Sequence, residues 1–520
     1  MKDDTSVIDV LDRSFQLYPD KDYLFDVKSS ITYSQLYQEA YLLSAGLYKL
    51  GVRKGDRVLV CLPNWHEFVA VFFSLSRIGA IIIPCNPCYH KEDIKPILED
   101  GKIKAVFLPK TDNLTSVFHE AGIKIIVTVR HRESGCIAYD SLLDVGEQTE
   151  TIPTVPINAE NDVMAILYSS GTTGKPKGVM LTHQNLLYAT KTAEQQLLCT
   201  HEDVIFTPVP VFHIFGLVPG ILLTVLTGAK IIFMEKFQTM KALQLMEKGK
   251  ATIHLGVPTM FIFELNKLKE SGCKLTSLRT GIIAGSHCPS NVVRMIRTQM
   301  GCNVKISYGM TETSSAITFT SFSDDEKICS ETVGRAVEGT EIKIVNEQYQ
   351  EVSIGEIGEL ACRGKGLMRG YYNMPEKTSE VIDQDGWYYT GDLATVNQDG
   401  YYTIVGRKKD MIIRGGYKIY PREIEEILYE HVNILDVAIV GMPDPVFGET
   451  SCAFIKLKPD CIETEASIKE FLNEKVVKYK VPDQIMFLKD FPLNPSGKIK
   501  KNALKEIARM KNETMSVGNM

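Results

Sequence analysis

Residues 169–178 read SSGTTGKPKG and follow the apolar run Met164-Ala-Ile-Leu-Tyr168. Small hydroxyls, glycines and lysines suit a phosphate, because backbone N–H groups and short donors can crowd around an anion. The stretch is not the loop G-x-x-x-x-G-K-S/T, in which a hydroxyl after the lysine reaches Mg²⁺ and a helix opens. Lys175 is followed by Pro176, which pushes Lys175 away from the α conformation. The chemistry implied is phosphate handling by a hydroxyl-rich loop that does not open a helix.

A second set of reactive side chains is Cys85-Asn-Pro-Cys88, with His90 nearby. No second C-x-x-C accompanies it, and it follows a strand rather than opening a helix, so a packing role is expected over a redox or zinc role. The twelve cysteines show no framework-like spacing, and reduced thiols in the cytoplasm are expected. The start, MKDDTSVIDVLDR, places acids before any apolar run, unlike a secretory signal. Ile214–Ala229 is uncharged, but Gly216, Pro219, Gly220 and Gly228 interrupt it and Lys230 stops it short of a span. A buried helix and strand near a pocket are expected there. A net charge of −6 gives no reason to expect a nucleic-acid partner.

Several further motifs occur in one order along the chain. They are Tyr168-Ser-Ser-Gly-Thr-Thr-Gly-Lys-Pro-Lys-Gly178, Val211-Phe-His-Ile-Phe-Gly216, Tyr308-Gly-Met-Thr-Glu312, Tyr389-Thr-Gly-Asp392, Gly406-Arg-Lys-Lys-Asp410 and Pro495-Ser-Gly-Lys498. Each alone is weak. Together, across residues 30–505, they closely resemble the adenylate-forming superfamily of acyl-CoA synthetases, peptide-synthetase adenylation domains and beetle luciferases. The sequence looks most like the acyl-CoA synthetases of the fatty-acid and coumarate branches.

The resemblance implies activation of a carboxylic acid by ATP with Mg²⁺, followed by transfer to CoA. It implies that the loop of Ser169, Ser170, Gly171, Thr172, Thr173, Gly174, Lys175 and Lys177 closes over the β- and γ-phosphates. Lys498 resembles the lysine that bridges the carboxylate and the α-phosphate, where the transition state gathers negative charge. Lys500 and Lys501 are expected to face solvent. Thr311 resembles the threonine that bonds the α-phosphate, and Glu312 the carboxylate that holds Mg²⁺. Asp392 resembles the acid that accepts from the ribose hydroxyls, and Arg407 its partner. Tyr308, between Ser307 and Gly309, resembles the aromatic that stacks on adenine. Ser286 and His287 lie in Ala284-Gly-Ser-His-Cys-Pro289, which matches the strand end lining the adenine and acyl pocket. His287 and Cys288 are larger than the usual glycine and alanine there. Lys409 falls at the family's pivot, and Gly415 and Gly416 at the face that lets a pantetheine arm approach.

His213 stands where amino-acid-activating relatives carry an aspartate, so an unpaired ammonium would be costly and amino acids are disfavoured. His213 is expected to close the pocket near the carboxylate, as a catalytic residue beside Lys498, Thr311 and Glu312. Phe215 and Gly216 are expected to line the acyl pocket, with Gly216 and Gly220 leaving room for a chain. The expected substrate is a medium- or long-chain fatty acid. An aryl acid such as a coumarate, or a carrier-protein phosphopantetheine in place of free CoA, are the alternatives. Homodimerisation and transient membrane contact are compatible with this reading.

The elements that must position these residues alternate between helix and strand. Ile31 precedes a capping-box pattern, Thr32-Tyr-Ser-Gln35, with Leu36, Ala40, Leu43 and Leu47 at helical spacing and Gly51 beyond. Strands are expected over 57–62 and 81–84 and a helix over 67–77, which is α/β logic with mostly parallel sheets. After about residue 330, turn residues separate short antiparallel strands in a barrel-like region. Pro421 opens a helix, 437–440 is a strand and Thr464 caps another helix. A large N-terminal domain is expected over 1–408, a small mobile α+β domain over 409–512 and an unstructured tail over 513–520.

Overall fold

The computed structural model describes residues 5–25, 30–111, 114–149, 151–169, 176–286, 288–492 and 499–517. It divides into two compact units, 1–341 with 363–388 and 342–362 with 389–520. The protein is α/β, as its alternating patterns predict.

Two sheets organise the first unit. One has eight strands, in the order Gly370–Tyr371, Lys177–Thr182, Val163–Ser169, Ile81–Pro84, Arg57–Val60, Ile103–Leu108, Ile125–Thr128 and Ile137–Ala138. Val163–Ser169 and the strands after it in that order are parallel. The other two pair antiparallel at one end. The second sheet has nine strands, and Val204–Thr207, Lys230–Phe233, Ile253–Gly256, Thr280–Ile283 and Asn303–Met310 form its parallel centre. Runs such as Ile125-Ile-Val-Thr128 and Thr280-Gly-Ile-Ile283 are buried throughout, because helices cover both faces of a parallel sheet.

Local signals place the helices. The Thr32 hydroxyl accepts from the Gln35 N–H, and Gln35 Oε1 accepts from the Thr32 N–H, which satisfies two orphan donors of Tyr33–Lys49. Gly51 follows at φ +89°. The segment from Ile214 is a single α turn to Gly216, a π-helical Leu217–Leu222 and an α piece Leu223–Thr227, ended by Gly228 in the left-handed region. Among the described residues no helix is long and apolar enough to cross a membrane.

The second unit holds a four-stranded sheet in the order Thr340–Val345, Gly358–Gly364, Tyr388–Val396 and Tyr402–Arg407. It also holds a five-stranded sheet built on the long antiparallel pair Ile434–Asp444 and Gly448–Leu457. Pro421 is the first residue of the helix Pro421–Tyr429, and Thr464 caps Glu465–Asn473 as expected. The last helix, Lys501–Val517, takes in residues 513–517, which lack the apolar pattern that marks a packed helix. Of these residues Glu513 and Met515 are good helix formers.

Candidate active site

The phosphate-suited loop hangs from an antiparallel hairpin. Val163–Ser169 pairs with Lys177–Thr182, and Ser169 is the register partner of Lys177. Pro176 leads straight into a strand, so this loop opens no helix. Ser170, Gly171, Thr172, Thr173, Gly174 and Lys175 lie outside the described residues. The hairpin base is clamped from two sides. The Tyr168 hydroxyl donates to Asp100 Oδ2 at 2.8 Å, and Asn373 Nδ2 donates to Asp100 Oδ1 at 2.9 Å. Gly178 lacks the Cβ that would meet the Tyr168 ring at 3.1 Å.

The other edge of Lys177–Thr182 pairs with Gly370–Tyr371. This two-residue strand brings an aromatic to the loop that motif reasoning missed. Lys177 Nζ lies 4.7 Å from the centre of the Tyr371 ring, a cation–π distance. The Tyr371 hydroxyl donates to Glu312 Oε1 at 3.1 Å, and the Met368 N–H donates to the Glu312 carbonyl at 2.8 Å. Tyr371 is buried, and burial beside the Glu312 carboxylate pushes its phenol up.

Thr311 and Glu312 occupy a 3₁₀ turn, Thr311–Thr313, that ends the strand Asn303–Met310. The Thr313 hydroxyl holds the turn by donating to Met310 O at 3.1 Å and Ser315 O at 2.7 Å. Ser314 takes φ +58° to let the chain reverse. Ser307 is buried, Tyr308 half-buried and Gly309 exposed on that strand. A Cβ at Gly309 would overlap the Ser315 carbonyl across the turn. Ser286 is exposed in the bend after Thr280–Ile283, His287 lies outside the described residues, and Cys288 is buried with its thiol pushed up to about 12.

Glu312 is half-buried, and Tyr371 bonds one of its oxygens. Among the described residues no group of three or more His, Cys, Asp or Glu could hold a metal ion. A single carboxylate beside phosphate oxygens is what Mg²⁺ ordinarily takes, so the residues present fit that ion.

His213 precedes the Ile214–Gly216 turn, and its carbonyl accepts from the N–H groups of Gly216 and Leu217. Its ring is tilted against Phe212 at 4.9 Å. Phe215 packs with Met260, Ala284 and Ala316 on a buried cluster that includes Val209, Leu223, Leu255 and Ile282. Gly216 leaves no vacant space: a Cβ there would overlap the Pro210 carbonyl. Gly220 faces Thr207, whose methyl carbon would stand 3.1 Å from its Cβ. Both glycines therefore serve close packing of the helix on the chain before it.

In the second unit Asp392 and Arg407 are cross-strand partners, with Arg407 Nε 3.2 Å from Asp392 Oδ1. Asp392 is buried and Arg407 half-exposed. Glu359 braces the turn beside them, accepting from the Gly391 N–H at 3.0 Å and from Lys408 Nζ at 2.9 Å. Its carboxylate raises the Lys408 ammonium. Lys409 follows in a 3₁₀ turn, Lys408–Asp410. Gly415 and Gly416 are the two-residue link between Ile412–Arg414 and Tyr417–Ile419, at φ +55° and +87°. Two left-handed residues make the turn that suits a twisted hairpin, so the backbone itself requires glycine here. Lys498 lies outside the described residues.

Cys85 is buried, Cys88 exposed, and the Cys88 N–H donates to the Asn86 side chain.

Comparison with known proteins agrees along the chain. The AMP-binding enzyme family model matches residues 11–372, and the AMP-binding enzyme C-terminal domain model matches 423–498. A putative acyl-CoA synthetase, YngI, of Bacillus subtilis (strain 168) is 37% identical over 96% of this chain and 96% of its own. The mitochondrial medium-chain acyl-CoA ligase ACSF2 of Mus musculus is 33% identical over 96% of this chain and 87% of its own. The crystal structure of ATP-bound MatB from Rhodopseudomonas palustris superposes with a TM-score of 0.87 at 29% identity, covering 97% of this chain and 99% of that one.

Proposed function

We propose, from the premise that this chain belongs to the AMP-binding enzyme family and is an AMP-forming acid–thiol ligase of its acyl-CoA synthetase branch, that its acid is a medium- or long-chain fatty acid. The observation that carries the proposal is the apolar cluster on which Phe215, two residues after His213, packs. Phe215, Met260, Ala284 and Ala316 pack on apolar side chains, and the residue before this segment is His213, which offers an ammonium no carboxylate. An alkyl chain is the ligand such a wall favours. The medium-chain specificity in the name of the Mus musculus relative points the same way.

The reaction runs in two steps. A carboxylate oxygen of the acid bonds to the α-phosphorus of ATP as the α–β anhydride bond breaks and pyrophosphate leaves. The CoA sulfur then bonds to the acyl carbon as the bond to AMP breaks, and the thiol proton goes to solvent. We assign the loop 169–177 to the departing phosphates, Thr311 to the α-phosphate and Lys498 to the charge that gathers there in the first step. Asp392 and Arg407 take the ribose side, supported by their 3.2 Å pairing. Tyr308, with Ser307 and Gly309, and the segment from Ser286 take the adenine side. Glu312 would hold Mg²⁺, which neutralises phosphate charge when bound. His213 sits near the carboxylate. Lys409 is the pivot that exchanges the lysine of step one for the face around Gly415 and Gly416 in step two.

A mass-spectrometric product screen tests the substrate. The protein is mixed with ATP, Mg²⁺, CoA and a pool of fatty, aryl and amino acids. Fatty acyl-CoA products are expected, and their lengths map the apolar wall. Exclusive aryl-CoA products would overturn the fatty-acid assignment. Acyl-AMP without acyl-CoA would move the acceptor to a carrier protein.

A further inference from the structure

The short strand Gly370–Tyr371 joins two motifs that lie far apart in the sequence. Its backbone is fixed on both sides. The Tyr372 N–H donates to Gly178 O at 2.7 Å and the Arg369 N–H to Met180 O at 3.0 Å, which locks it to the strand leaving the phosphate loop. The Tyr371 N–H donates to Thr378 Oγ1 at 2.9 Å. The side chain is therefore held rigidly, with only 5% of its surface exposed. Its face meets Lys177 Nζ at 4.7 Å, and its hydroxyl meets Glu312 Oε1 at 3.1 Å.

We infer that Tyr371 is a positioning residue that aims the Glu312 carboxylate and ties its direction to the phosphate loop through Lys177. The inference rests on the roles proposed above for Glu312 and the loop. A carboxylate on three rotatable bonds at a strand end has several rotamers, and a single charge-assisted hydrogen bond selects one. The Tyr371 hydroxyl engages one oxygen and so fixes which way the other faces. The ring contact gives the loop lysine a resting place beside that carboxylate. The phosphate-binding cation and the acidic turn thus share one rigid support.

The test separates the hydroxyl from the ring. Tyr371→Phe keeps the ring for Lys177 and removes only the donor. Pyrophosphate release with ATP and acid should fall about tenfold in kcat/KM, the scale of one hydrogen bond to a charged group. Transfer of a presynthesised acyl-adenylate to CoA should be unchanged. Mn²⁺ binding in the presence of a non-hydrolysable ATP analogue, read by electron paramagnetic resonance, should weaken about tenfold by the same reasoning. In a Glu312→Gln background the same substitution should add nothing, because the two act as a unit. Glu312→Asp, which leaves Tyr371 intact but draws the carboxylate back, should reproduce the split and serves if Tyr371→Phe does not fold. Equal losses in both half-reactions, unchanged Mn²⁺ binding, or additive effects with Glu312→Gln would each overturn the inference. Failure of the parent reading looks different: wild-type protein would then release no pyrophosphate with any acid.

Discussion

Asp392 and Arg407 face each other as register partners, so one carboxylate oxygen is held by a guanidinium at 3.2 Å while the acid itself is buried. Asp392→Asn keeps the shape and removes the charge. The KM for ATP should rise about tenfold, since a charged acceptor is worth more than a neutral one; a coupled pyrophosphate assay reads it. Lys498→Ala belongs at the same scale. Adenylation should be abolished, while a supplied acyl-adenylate should still pass to CoA, because cationic stabilisation at phosphorus is needed only in the first step. Normal pyrophosphate formation by that variant would remove Lys498 from its role. Residues of this kind could be singled out as candidates because each sits in a short run of distinctive neighbours. Tyr371, Asp100 and Glu359 could not, since their partners stand tens to hundreds of positions away and nothing in the local sequence names them.

Among the elements, the helix Val7–Leu17 is tied to the first unit through His183. The Val7 N–H donates to His183 Nδ1 at 3.2 Å, and His183 is almost wholly buried. Burial lowers its pKa to about 4 from an ordinary 6.5, with Asp162 opposing. The folded chain therefore binds fewer protons than the unfolded chain between those values, and stability should fall as pH drops through that window. The loss should approach roughly 3 kcal/mol by pH 4. Urea unfolding at pH 7 and pH 4.5 checks this, with His183→Gln, which cannot titrate, showing a shallower pH dependence. A capping box at Thr32 and a cap at Thr464 made the helices Tyr33–Lys49 and Glu465–Asn473 readable in advance. The π-helical Leu217–Leu222 was not readable, because packing of Gly220 on Thr207 is a tertiary matter. The room expected at Gly216 is taken by the chain's own backbone.

At the scale of the whole molecule, Lys409→Pro should spare pyrophosphate release and impair thioester formation, because the pivot must change its backbone angles between the two steps. Equal loss of both steps in separate half-reaction assays would count against a hinge there. A cut near residue 409 is what composition suggests, since turn-rich strands give way there to a compact α+β pattern. The compact units divide otherwise: 342–362 and 389–407 group with the C-terminal sheet, while 363–388 returns to the first unit. A linear scan cannot see a return of this kind. That return also has a consequence for synthesis. The edge strand Lys177–Thr182 waits for Gly370–Tyr371, about 190 positions later, before its open side is paired. At translation speeds of about 5–20 residues per second, that edge stands uncovered for some ten to forty seconds on the ribosome. A nascent chain halted in that interval should be prone to aggregate through a bare strand whose partner has not yet been made.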